Sequence, residues 1–161
     1  FWSTSIERFT IPPHLTEINN CTFNYCQNLR EIEIPTNSEL RIIYPYAFMS
    51  SSIERFTVPL HLTVIHEHAF DSCTQLRIFD ISENSELQEI GLRVFEKTSI
   101  TSIRIPPHLT IINHHAFANC ETLQIIEFDE NSELDYIKLW LFACSEQAIA
   151  MVPVNLRNIV I

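Results

Sequence analysis

The stretch SIERFTIPPHLT, residues 5–16, recurs as SIERFTVPLHLT over residues 52–63 with ten of twelve letters unchanged. The repetition reaches well beyond this phrase. Pro12, Pro59, Pro106 and Pro153 stand 47 residues apart, as do Leu15, Leu62, Leu109 and Leu156. Cys26, Cys73 and Cys120 keep the same interval, and so do the Asn-Ser-Glu-Leu runs that begin at Asn37, Asn84 and Asn131. A looser echo divides each period: Phe23 and Phe48 lie 25 apart, Leu29 and Ile53 24 apart, Ile34 and Val58 24 apart. The unit is therefore 22–25 residues long, written in two alternating forms.

Self-similarity at a fixed period of this length specifies a solenoid. Each unit is one turn of chain that cannot bury its apolar face alone and must stack on copies of itself. Stacked positions then need the same packing residues, which is why the phrase is written twice. Within each turn, Ile6-x-x-Phe9-x-Ile11, Leu29-x-x-Ile32-x-Ile34, Ile53-x-x-Phe56-x-Val58, Leu76-x-x-Phe79-x-Ile81, Ile100-x-x-Ile103-x-Ile105 and Leu123-x-x-Ile126-x-Phe128 end in period-two alternation rich in β-branched and aromatic residues, the mark of a short strand. Residues 147–152 read as a weaker seventh. Pro12, Pro35, Pro59, Ser82, Pro106, Asp129 and Pro153 follow these strands and stop them, by removing a ladder donor or supplying turn chemistry. A Leu-x-x-Ile element leads on to segments such as HEHAFDSC (66–73) and NHHAFANC (113–120), whose length suits one short helical turn. Successive strands run the same way, so the sheet is parallel.

Composition narrows the function classes. Ten Lys and Arg against twenty Asp and Glu leave a formal charge of -10, which opposes phosphate backbones and anionic lipid, so neither nucleic acid nor membrane insertion is expected of this segment. One glycine in 161 residues, Gly91, cannot write a phosphate-cradling GxxxxGK or GxGxxG loop. No apolar run approaches the roughly 20 residues that span a bilayer. The whole of 1–161 reads as a single solenoid of about seven turns; Phe1 stands 47 before Phe48 and neither end carries a polar capping unit, so the expectation is a piece of a longer array.

The pattern Ile-x-x-x-x-Phe-x-x-Cys-x-x-Leu-x-x-Ile-x-Ile-Pro, clearest over 65–81 and 112–128, resembles the BspA-like, or Treponema-type, leucine-rich repeats. The resemblance covers essentially the whole chain. It implies a right-handed leucine-rich-repeat solenoid, an α/β fold with a parallel sheet on the concave face and short helical or irregular turns on the convex face. It further implies a surface or secreted protein that adheres to a protein ligand, such as a host matrix protein. Ser82 and Asp129 depart from the strand-ending proline, and Lys97 stands where the strand-aligned column has Cys or Ser.

Residues with chemical potential are best explained by the repeat itself. Phe1, Phe23, Phe48, Phe70, Phe95, Phe117 and Phe142 supply one ring per turn and read as a core spine. Cys26, Cys73 and Cys120 are two turns apart, ~9–10 Å by strand spacing, beyond the ~7 Å at which Cα atoms can be bridged. Cys120 and Cys144 each precede a strand start by three, so a bridge between neighbouring turns and buried thiols both stay open. His66-Glu67-His68 and His114-His115 suggest zinc, but Tyr46 and Arg93 occupy related places in adjacent turns, so they read as solvated turn histidines. His14, His61 and His108, one period apart, read as architecture. No residue is assigned to catalysis, metal binding or a cofactor.

Function is expected on the exposed strand face, whose two outward columns read Arg8, Glu31, Arg55, Ile78, Ser102, Ile125, Ile149 and Thr10, Glu33, Thr57, Asp80, Arg104, Glu127, Met151. Alternating Arg and Glu in the first half offset one another across neighbouring strands. In the second half Ile78, Ile125, Ile149 and Met151 put apolar groups beside Asp80, Arg104 and Glu127, the mark of a protein contact. The competing reading is a structural spacer that sets length and curvature while other domains bind.

Overall fold

The computed structural model describes residues 5–134 and, beyond them, the strand backbones of Ile137–Lys138, Ile149–Met151 and Ile159–Val160. Each turn contributes two strands. The longer ones are β1 (Arg8–Thr10), β3 (Glu31–Glu33), β5 (Arg55–Thr57), β7 (Ile78–Asp80), β9 (Ser102–Ile105), β11 (Ile125–Phe128) and β13 (Ile149–Met151). The shorter ones are β2 (Glu17–Ile18), β4 (Ile42–Ile43), β6 (Val64–Ile65), β8 (Glu89–Ile90), β10 (Ile111–Ile112), β12 (Ile137–Lys138) and β14 (Ile159–Val160). Every pairing is parallel, between one turn and the next, as the period requires.

The Leu-x-x-Ile element turns out to be a strand in its own right. β2, β4, β6, β8 and β10 form one continuous five-stranded sheet in which Ile18, Ile43, Ile65, Ile90 and Ile112 are register partners in succession. The long strands behave differently. They pair as β1 with β3, β5 with β7, and β9 with β11 and β13, so the ladder is interrupted between β3 and β5 and again between β7 and β9.

Two kinds of link join a long strand to its short partner. Where the link is Pro-x-His-Leu, the Leu amide donates to the strand-ending proline: Leu15 to Pro12 at 3.0 Å, Leu62 to Pro59 at 3.1 Å and Leu109 to Pro106 at 3.3 Å. Where it is Asn-Ser-Glu-Leu, the buried hydroxyls of Ser38 and Ser85 each accept from the Leu amide two residues on, at 3.3 Å. The departures from proline are explained here. Ser82 Oγ accepts from the Asn84 amide at 3.3 Å and Asp129 Oδ1 from the Asn131 amide at 3.0 Å, so a side-chain turn replaces the fixed φ of proline.

The segments around each spine phenylalanine are irregular, and no helix occurs among the described residues. The residues two before and two after each Phe have positive φ: Cys21 and Tyr25, Tyr46 and Ser50, His68 and Ser72, Arg93 and Lys97, His115 and Asn119, all between 54° and 59°. A left-handed residue other than glycine costs roughly 1–2 kcal/mol. The compensation is inter-turn bonding. Tyr46, Phe48 and Ser50 donate to the carbonyls of Glu67, Ala69 and Asp71 at 3.2, 2.8 and 2.9 Å, and the turns around Phe23, Phe70 and Phe95 repeat the triplet. A helix would direct these amides back along its own segment and leave the next turn without donors.

The core is a set of stacked columns. Phe23, Phe48, Phe70, Phe95 and Phe117 stack face to face with centroids 5.1, 5.0, 6.1 and 5.3 Å apart and interplanar angles of 5–15°. Phe56 and Phe79, from the long strands, meet this spine edge-on. Phe1 and Phe142 lie outside the described residues. Three residues after each Phe runs a second buried column, Cys26, Ser51, Cys73, Thr98 and Cys120. The departure at Lys97 thereby disappears: counted from Phe95, the buried member of that turn is Thr98, and Lys97 is solvent-facing.

Candidate protein-binding face

The long strands alternate strictly: Phe9, Ile32, Phe56, Phe79, Ile103 and Ile126 point into the core, and the residues on either side of each point to solvent. In the first half the outward residues neutralise one another. Arg8 Nη2 lies 2.7 Å from Glu31 Oε2 and the Thr10 hydroxyl donates to Glu33 at 2.6 Å, while Arg55 Nε reaches 3.7 Å across to Asp80 Oδ2 of the second half. These pairs are exposed, and each contributes at most about 1 kcal/mol.

The second half differs. Ile78 and Ile125 are 39 % and 38 % exposed, apolar members of the outward column, with Ser102 between them. A groove of about 400 Å³ opens where the β7–β9 ladder is interrupted, and Asp80, Arg104 and Glu127 line it together with Thr57, Phe79 and Ser102. A similar groove of about 360 Å³ lies at the β3–β5 interruption, lined by Ile32, Thr36, Thr57, Pro59 and Leu60. Arg104 is in register with Glu127, yet its guanidinium reaches Asp129 Oδ2 at 3.2 Å. The Asn131 amide, and then Arg104, hold the Asp129 carboxyl below its ordinary range. Ile149 and Met151 stand opposite Ile125 and Glu127 in the β11–β13 ladder; their side chains lie outside the described residues.

The histidines divide into two groups. His14, His61 and His108 each place Nδ1 3.1–3.2 Å from the Glu of the following turn, Glu39, Glu86 and Glu133, so the sequence column is an inter-turn ladder. His66 and His68 are not simply solvated: their rings stack on Tyr44 and Tyr46 of the preceding turn at 5.4 and 5.0 Å, and His68 Nδ1 lies 2.8 Å from Asp71 Oδ2. His66 and His68, two apart in sequence, thus stack on different rings of the preceding turn.

Two thiols of the buried column are engaged in hydrogen bonds between turns. Cys73 and Cys120 donate their S–H to the carbonyls of Phe48 and Phe95 at 3.0 and 2.9 Å. Burial pushes the Cys73 thiol up to about 12 and that of Cys120 to about 11, far from a nucleophile's range. Cys144 lies outside the described residues.

Parallel ladders repeated once per turn, a buried aromatic spine and an outward strand face define a leucine-rich-repeat solenoid. The chain matches the family of the BspA type leucine rich repeat region, in six copies over residues 1–124 and 88–160, and it belongs to that family. Among solved structures, it is similar to a leucine-rich repeat protein from Bacteroides ovatus, with TM-score 0.71 and 25 % identity over 91 % of this chain and 45 % of that one. It is also similar to a leucine rich cell surface protein from Faecalibacterium prausnitzii, with TM-score 0.57 and 26 % identity over 80 % and 40 %. It shares the fold of the pneumococcal vaccine antigen PcpA, with TM-score 0.74 and 23 % identity over 78 % and 31 %. The chain thus spans less than half the length of each. No curated protein matches it. No helix among the described residues is long and apolar enough to cross a membrane.

Proposed function

We propose that this chain is a protein-binding segment, carrying no chemistry of its own, of a cell-surface or secreted protein. Its long-strand face, the concave side in the family pattern, takes a protein ligand such as a host matrix protein. Ile78, Asp80, Arg104, Ile125 and Glu127 form the contact, extended by Ile149 and Met151. The observation that carries the reading is the contrast between the two halves of one face. The first half places Arg8 against Glu31, whereas the second exposes Ile78 and Ile125 on strands beside a groove lined by Asp80, Arg104 and Glu127. The similarity to a leucine rich cell surface protein supports the location.

Binding of the purified chain to a panel of immobilised matrix proteins tests this, with Ile78→Asp and Ile125→Asp as variants. Loss of binding in both, with unchanged melting, is expected. Binding that survives both substitutions removes the face from the site, and no binding to any panel member before mutation favours the spacer.

A further inference from the structure

The side of the solenoid that carries the spine turns holds a second constellation, remote in role from the strand face. The positions one residue after each spine phenylalanine form a column, Asn24, Met49, Asp71, Glu96 and Ala118. Two successive turns put carboxylates there. Their side chains are only 9 % and 11 % exposed, and one donor atom each from Asp71, Glu96 and His68 all lie within 4.8 Å of one another. The two carboxylates are thus largely buried beside one another and beside the His68 imidazole.

Each of the three is held from behind. The Ser72 hydroxyl donates to Asp71 Oδ1 at 2.7 Å, leaving Oδ2 turned toward His68. Asn119 Nδ2 donates to Glu96 Oε1 at 3.3 Å. The Tyr46 ring stacks on His68 at 5.0 Å and 12°. Such outer partners are what orient metal ligands. Two cations also face the cluster: Arg93 Nε lies 3.5 Å and Lys97 Nζ 3.9 Å from Glu96, both on largely exposed side chains. These distances exceed the ~2.7–2.9 Å of a tight charge-assisted bond, so both can swing into solvent.

We propose that His68, Asp71 and Glu96 form a divalent transition-metal site that ties two successive turns together. One imidazole nitrogen and two carboxylate oxygens bind the ion, and water completes its shell. A mixed nitrogen and oxygen set suits zinc, whereas calcium and magnesium take oxygen alone. The ion displaces the hydrogen bond between His68 and Asp71 and takes over neutralisation of the carboxylate pair. Arg93 and Lys97 weaken the site without abolishing it.

Calorimetric titration of the purified protein with zinc chloride, beside melts in EDTA, tests this. A one-equivalent step is expected above the weak background of the exposed His–Glu pairs. His68→Tyr, the residue that the preceding turn carries at this place, and Asp71→Asn, as at Asn24, should each weaken the step by at least about ten-fold, with melting in EDTA little changed. Arg93→Asn with Lys97→Asn should tighten it several-fold, since Asn tolerates their backbone and removes the opposing charge. Absence of the step, or its survival in both ligand variants, overturns the site. Should either ligand variant fail to fold, imidazole NMR of the unaltered protein decides: zinc must shift His68 at one equivalent, and a His68 signal that stays put while His61 moves overturns the proposal.

Discussion

The Cys73 thiol donates to the carbonyl oxygen of Phe48, one turn earlier, at 3.0 Å, and the Ser51 hydroxyl lies 3.5 Å from the same sulfur. Spine and thiol column are therefore one hydrogen-bonded unit. Burial raises the folded-state thiol from 9.0 to about 12, so its contribution is complete below pH 9 and is lost as pH rises from 9 toward 12. Denaturant midpoints should be flat from pH 7 to 8.5. The unfolding free energy should then fall by up to about 1.4 kcal/mol per pH unit for this thiol, and the midpoints with it. A thiol reagent at pH 8 should label Cys73 only after unfolding, and Cys73→Ser, which copies Ser51, should fold.

Phe70 touches Phe48, Phe56, Phe79 and Phe95 through its ring. Phe70→Ala should cost about 3–5 kcal/mol, because neighbours fixed by stacking on both sides cannot collapse into the gap. Thermal melting checks this, and a melt unchanged from the parent would take Phe70 out of the spine.

Gly91 sits where a Cβ would come within 2.7 Å of the Glu67 amide nitrogen and the His66 carbonyl carbon. Both obstacles are backbone and belong to the preceding turn, so Gly91→Ala must push the β6 and β8 turns apart. A loss of roughly 1–3 kcal/mol is expected, with faster hydrogen exchange at the Gly91 amide, which bonds to Ile65 at 2.8 Å.

Tyr25 holds φ 55° with its side chain exposed. Tyr25→Gly relieves the left-handed penalty of about 1–2 kcal/mol but returns part of it through the freer unfolded chain. A small net gain in melting temperature is expected, and a loss would show that the tyrosine ring contributes packing of its own.

The His61–Glu86 pair, 3.1 Å apart, is exposed on both sides. His61→Ala should change stability by less than about 1 kcal/mol, an effect that high salt should erase when both proteins are melted side by side.

The repeat was legible because stacking demands identical packing residues at equivalent positions, so Phe23, Phe70 and Phe117 announced their column by interval alone. The face residues Ile78, Asp80, Ile125 and Glu127 were legible for the same reason, since strand alternation assigns inside and outside. The left-handed pairs at Tyr46 and Ser50 gave no signal: glycine, the usual marker of that backbone, is absent there, and the strain is offset by amides of one turn reaching carbonyls of the next. The histidine run marked His68 but not its neighbours Asp71 and Glu96, which reach it from its own turn and the next. Counting from the strands aligned Lys97 with Cys73, whereas the turns are actually registered on their phenylalanines.

Sequence alone therefore determined that the chain stacks, how long each turn is and which residues form its spine, because a one-dimensional period is a direct record of repeated packing. Only the tertiary structure decided which side chains meet across turns. The two link types differ by two residues, so the offset between neighbours alternates from turn to turn. It is the folded stack that shows Arg104 reaching Asp129 rather than its register partner Glu127, the long-strand ladder interrupted beside β7, and Glu96 lying beside Asp71, because these contacts depend on side-chain reach between turns and not on the period.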